Sequence, residues 1–145
     1  MKKLFIAALL TVTVATSAFA ADEKKIGGSI LRAFESEFSG ANNVQWSVKT
    51  EFIKATFEID GIKTDAFYNH QGESIGTSRR ITLEDLPVQA KRTFAKKYSD
   101  YVVKEAIKFQ GNDETAFYVS AENEKHSVIL KITGAGMSTF KKTSK

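Results

Sequence analysis

Cysteine is absent from this chain. Without it no disulfide can staple a small fold, so stability must come from an ordinary hydrophobic core. Nor can the chain be a bacterial lipoprotein, which carries its lipid on a cysteine at the cleavage point. Histidine is almost as scarce, with only His70 and His126 present. A serine or threonine nucleophile needs a base beside it, usually histidine, and neither histidine stands near a G-x-S-x-G elbow. H-E-x-x-H, a calcium loop of the D-x-[DN]-x-[DN]-G type, a Walker loop and G-x-G-x-x-G opening a helix are all missing. Glu35 and Glu37 stand two apart on a helical stretch and do not face each other. Glu84 and Asp85 precede Pro87, where acids complement a helix N-terminus. The expectation is therefore a chain that is not an enzyme and takes no cofactor and no metal.

Long apolar runs are missing too, apart from the one that opens the chain. "MKKLFIAALLTVTVATSAFA" has a basic start at Lys2 and Lys3, an apolar run from Leu4 to Val14, and an Ala18-Phe19-Ala20 cleavage pattern. That is the form of a secretory signal peptide covering residues 1–20, and it is too short and wrongly flanked for a stable span. Cleavage near Ala20 sends the rest to the periplasm or beyond, and no later stretch predicts a membrane span. The formal charge of +4 includes Lys2 and Lys3, so the exported part keeps half of it. That is a poor basis for nucleic-acid binding, which is not expected. "KKTSK" at the end reads as a frayed solvated tail.

What remains is a strongly patterned chain. "SILRAFESEFSG" spaces Ile30, Leu31, Phe34 and Phe38 as a helix does, with Ser29 placed to cap it and Gly40 to end it. "NNVQWSVK" alternates Val44, Trp46 and Val48, which is strand spacing. Asp60-Gly61 is a two-residue hairpin signal, and "NHQG" turns the chain into a fourth strand from Ser74 to Ile81. The order then recurs. "LEDLPVQAKRTFAKKYS" begins a helix at Pro87 with Leu86, Ala90, Phe94 and Tyr98 on one face. "YVVKEAIKFQ", "AFYVSAE", "HSVILKIT" and "GAGMSTF" read as four more strands. Phe34-x-x-x-Phe38-Ser39 aligns with Phe94-x-x-x-Tyr98-Ser99, which suggests an internal duplication. The fold class expected is α+β, a tandem α-β-β-β-β arrangement. It comprises a first repeat over 21–81 and a second over 82–145, packed as one domain or running on as one longer sheet. The second hairpin turn, near Asn123, holds either two or three residues, and the choice decides which side chains face the core.

"FESEFSGANNVQW", "ATFEIDG", "AFYNHQGES", "LEDLP" and "FAKKYS", behind the signal peptide, resemble the PepSY-like, β-lactamase-inhibitor-like exported proteins of Bacteroidetes, over essentially all of the exported chain. The resemblance implies an exported protein with tandem α-β-β-β-β units. It also implies an architecture in which a concave sheet grips an enzyme. The second half departs from the pattern, because the position matching Trp46 is Ala106 or Ile107.

One residue does not fit a simple core. Folding at Asp60-Gly61 puts Ile53, Ala55, Phe57, Ile59, Ile62, Thr64, Ala66 and Tyr68 on one face. Lys54, Thr56, Glu58, Lys63 and Asp65 lie on the other, together with Phe67. Phe52 falls on that second face as well. Two phenylalanines among charges are a candidate contact patch, or are covered by the other half of the chain or by an oligomer partner. Arg79 and Arg80 make a basic rim or a solvated edge. The candidate partner-binding surface is thus Phe52, Lys54, Phe67, Arg79 and Arg80. The function expected is an exported binding module with a protein partner, in its sharper form an inhibitor of a periplasmic or extracellular enzyme. A carrier of a small apolar ligand and a structural envelope component are the alternatives, and the oligomeric state is left open.

Overall fold

The computed structural model describes residues 26–145. The expected signal peptide and its cleavage site lie outside the described residues. Helix α1 (Gly28–Glu37) is followed by β1 (Asn42–Val48), β2 (Ile53–Ile59), β3 (Ile62–Tyr68) and β4 (Ser74–Arg80). A 3-10 turn (Leu83–Asp85) and helix α2 (Val88–Lys97) lead into β5 (Val102–Gly111), β6 (Thr115–Glu122), β7 (His126–Thr133) and β8 (Gly136–Ser144). The expected pair of four-stranded sheets is not what forms. The strands make one antiparallel eight-stranded sheet in the order of the sequence, with two short helices, and not two repeats of a helix plus its own four-stranded sheet. Two separate sheets would leave additional strand edges open to pairing, whereas one sheet in sequence order ends only at β1 and β8. Two compact units can be told apart, one ending at Arg79 and the other running from Arg80 to Lys145.

In the first unit the Asp60-Gly61 turn sets everything around it. Both residues have positive φ, 52° and 74°, as a type I′ turn requires. The seven β2–β3 pairs run from Ile59↔Ile62 to Ile53↔Tyr68, as the turn dictates. The face carrying Ala55, Phe57, Ala66 and Tyr68 packs under α1, which supplies Ile30 and Phe34. The Phe34 ring meets Trp46 at 5.2 Å and Phe57 at 5.0 Å, both edge to face. Phe38 stands 4.7 Å from Phe57. Fully burying each large apolar side chain contributes about 1.5–3 kcal/mol. Trp46 is therefore a core residue. Neither Ser29 nor Gly40 has the role expected of it. The helix begins after Gly27, whose carbonyl accepts from the Ile30 and Leu31 amides, and it ends at Phe38.

In the second unit Ala90 and Phe94 of α2 pack on Ala106, Val119, Leu130 and Ile132. Pro87 stands at the N-cap, and its carbonyl accepts from Lys91 N. The β6–β7 turn settles the open register. Glu122 pairs with Ser127 and Ala121 with Val128, and Asn123 N donates to His126 O. Glu124 and Lys125 alone span the turn. The Asn123 side chain closes it by accepting from the Lys125 and His126 amides at 2.9 and 2.7 Å. Phe117, Val119, Ala121, Val128, Leu130 and Ile132 thereby face the helix. A bulge between Val103 and Glu105 breaks the alternation of β5. It puts Val103 and Ala106 on the helix side and sends Glu105, Ile107 and Phe109 to the other. Ala106, not Ile107, takes the place in this core that Trp46 takes in the first. The C-terminal "KKTSK" is not a frayed tail. β8 runs to Ser144, and the Lys145 amide donates to Lys125 O.

Candidate binding surface

In each unit one face of the strands carries the helix and the other does not. In the first unit Phe67 lies on the helix-free face, as the hairpin register requires, opposite Lys54 on β2 and Gly76 on β4. Phe67 is 1% exposed and Phe52 5% exposed, with their rings edge to face at 5.5 Å. The two phenylalanines thus meet, but as buried groups and not as an open apolar patch. Thr56 Oγ1 donates to Asp65 Oδ1 at 2.7 Å beside them, and Asp65 and Ser78 are buried as well. Lys54 is half-buried. Arg79 pairs with Thr64, so it stands on the helix side, exposed. Arg80 reaches Glu105 Oε1 at 3.1 Å. The five residues singled out from the sequence are therefore split between two faces and between interior and surface.

The second unit has a mixed aromatic and charged cluster on its helix-free face that the sequence reading passed over. Ile107, Tyr118, Lys131 and Ser138 stand side by side across four strands. The Phe140 ring meets Tyr118 edge to face at 5.9 Å. Lys131 Nζ is 2.7 Å from Glu114 Oε1. Burial pushes the Tyr118 hydroxyl up, and the adjacent Lys131 ammonium partly offsets this. The Glu114 hydrogen bond holds Lys131 above the ordinary lysine range. Tyr118 and Ile107 are buried, whereas Ile129, Lys131 and Phe140 keep part of their surface. Phe140 stands two residues beyond Ser138 on β8 and so shares its face. Leu130 pairs with Thr139 and Ile129 with Lys141, so Phe140 is the extra residue of β8. The only sequence signal for the cluster was "AFYVS" followed by "ILKIT", and reading it needed the turn length that fixes the β6–β7 register.

The polar groups elsewhere serve structure. His70 Nε2 donates to the carbonyls of Lys49 and Thr50 at 2.9 and 3.0 Å, tying the β3–β4 turn to the β1–β2 turn. The Asp85 carboxylate accepts from the Thr82 amide, and Glu84 pairs with Lys91. Gly134 and Ala135 form the β7–β8 turn, where Ala135 N donates to Thr133 Oγ1. Among the described residues no group of acids and histidines is placed to hold a metal ion. No helix among them is long and apolar enough to cross a membrane.

No family model and no curated protein matches the sequence. Solved structures do match. A DUF2874 family protein from Bacteroides ovatus is similar with a TM-score of 0.71 and 19% identity, over 81% of this chain and 86% of its own. A candidate periplasmic protein from Bacteroides eggerthii gives 0.73 and 18%, over 81% and 88%. A BLIP-like protein from Bacteroides fragilis gives 0.68 and 19%, over 81% and 85%. At such identities the likeness is one of fold, and the fold is that of these Bacteroides proteins.

Proposed function

We propose that this chain is an exported, non-enzymatic binding module of the PepSY-like, BLIP-like type, which presents the helix-free face of its sheet to a protein partner. The observation that carries the reading is the Tyr118–Phe140–Lys131–Glu114 cluster. There an aromatic group with part of its surface open is flanked by a paired cation and anion. Interfaces draw their energy from a few aromatic anchors, while surrounding charges set register and exclude other partners. The BLIP-like and candidate periplasmic neighbours support an exported binder of this kind. Arg80, in the same unit and paired with Glu105 of its helix-free face, is the member of the sequence-derived set suited to such a contact. Phe52 and Phe67 support the sheet from within.

The sharper form of the reading is an inhibitor of a periplasmic or extracellular enzyme. The interior beneath α1 is filled by rings in contact with one another, which favours protein binding over carriage of a small apolar ligand there. The test is capture from a cell-envelope extract on residues 21–145, followed by assay of any captured enzyme with the purified protein added. The proposal expects one enzyme to be enriched and its turnover to fall as the protein is titrated in. Enrichment of nothing beyond a blank resin would overturn it.

A further inference from the structure

The two units differ in charge. Residues 26–79 carry five basic and seven acidic side chains, whereas residues 80–145 carry twelve basic and eight acidic. In the second unit Arg80, Lys91, Lys104, Lys131 and Lys145 are held in ion pairs. Among the described residues of this unit seven others make no ion pair: Lys125 lies in the β6–β7 turn and Lys141 on the helix-free face, whereas Arg92, Lys96, Lys97, Lys108 and Lys142 belong to the helix side of the sheet. Arg92 and Lys96 stand one and two turns beyond Val88 on the stripe of α2 away from the buried Ala90 and Phe94. Lys97 follows them in the exposed last turn. Lys108 is opposite Phe117, and its ammonium lies 5.8 Å from that ring. Lys142 is opposite the core residue Val128. The acids nearest the start of α2, Glu84 and Asp85, are committed to Lys91 and to the Thr82 amide. The helix macrodipole accounts for Lys96 and Lys97 but not for Arg92, Lys108 or Lys142. Helix α1, which closes over its own unit in the same way, has no basic residue in its last turn.

We propose that the helix side of the second unit is a docking surface for a bilayer rich in anionic phosphate headgroups. The cations come from α2, β5 and β8 and are spread over a broad face, which suits a planar array of phosphates better than a single acidic peptide. Val88, 59% exposed, stands in the same stripe and offers an apolar contact for the headgroup region. Each cation near such a surface strengthens attachment several-fold, and salt weakens it. The attachment is peripheral and reversible, and it leaves the Tyr118–Phe140 face of the same unit turned the other way, toward a partner. It does not depend on the protein-binding reading.

The test is co-sedimentation of residues 21–145 with vesicles of phosphatidylglycerol and of phosphatidylcholine, at low and at high salt. The expected result is binding to phosphatidylglycerol alone, released by salt. Replacement of the three helix cations (Arg92→Glu, Lys96→Glu, Lys97→Glu) should weaken it at least about a hundredfold. Lys141→Glu, on the opposite face, should change it by less than about threefold. Should the triple charge reversal fail to fold, neutralisation of the same three to Gln must still weaken binding. Equal binding to both lipids, no binding to either, or undiminished binding of the variants would overturn the proposal. So would capture by soluble polyglutamate in preference to vesicles, which would make the surface one for acidic polypeptides.

Discussion

Tyr68 has its ring in the core of the first unit, 6.3 Å from that of Trp46, and its buried hydroxyl has no hydrogen-bond partner. Burial, and secondarily the Glu37 carboxylate, push its pKa up to about 12. The folded state therefore holds this proton more tightly than the unfolded state does. Its contribution to stability is complete below about pH 10 and is lost as the pH rises toward 12. Tyr68→Phe should leave the protein as stable at pH 7, or up to about 1 kcal/mol more stable, because an unsatisfied buried hydroxyl is removed. It should also flatten the loss of stability above pH 10, and urea unfolding at pH 7 and pH 10.5 checks both. Phe67 is the residue whose side of the sheet was legible and whose surroundings were not. Alternation from Asp60-Gly61 placed it away from α1, but what buries a side chain there is not written in its own strand. Phe67→Ala should cost about 3–5 kcal/mol, read from the urea midpoint, as truncation of a buried phenylalanine does. A cost under about 1 kcal/mol would mean that the ring is solvated after all.

At the scale of elements, what could be read from the sequence depended on how much conformation a turn demands. Asp60-Gly61 needs positive φ at both positions, and only a short list of residues accepts that, so the pairing of β2 with β3 followed from two letters. Gly61→Ala, at φ 74°, should cost about 1–2 kcal/mol in thermal unfolding without altering the register. The β6–β7 turn has no such signature, since Glu124 and Lys125 would serve in many loops. The device that fixes it is the Asn123 side chain, which accepts from two amides and donates to Asp100 Oδ2 at 2.8 Å. Asn123→Ala should lower stability by about 1–2 kcal/mol and speed amide exchange at Lys125 and His126. The bulges at Val103/Glu105 and Ile129/Leu130 were invisible for a related reason. A bulge asks only for a local change of backbone angles that nearly any residue tolerates. The first moves Ile107 onto the helix-free face, and the second puts Lys141 there and Lys142 on the helix side, against strict alternation.

At the scale of the whole molecule, strand count, helix positions and the order of elements were legible because each rests on local periodicity. The joining of all eight strands into one sheet was not, because pairing of strand edges is decided by which backbone groups would otherwise stay open. The direct test of the protein-binding account compares three immobilised proteins against the same envelope extract. They are residues 21–145 unchanged, a helix-free-face variant (Phe140→Ala with Lys131→Glu) and a helix-side variant (Lys142→Glu). The account predicts that whatever the unchanged protein captures is lost, by at least about tenfold, on the helix-free-face variant alone. Retention on that variant, with loss on Lys142→Glu, would contradict it and put the protein-binding surface on the helix side.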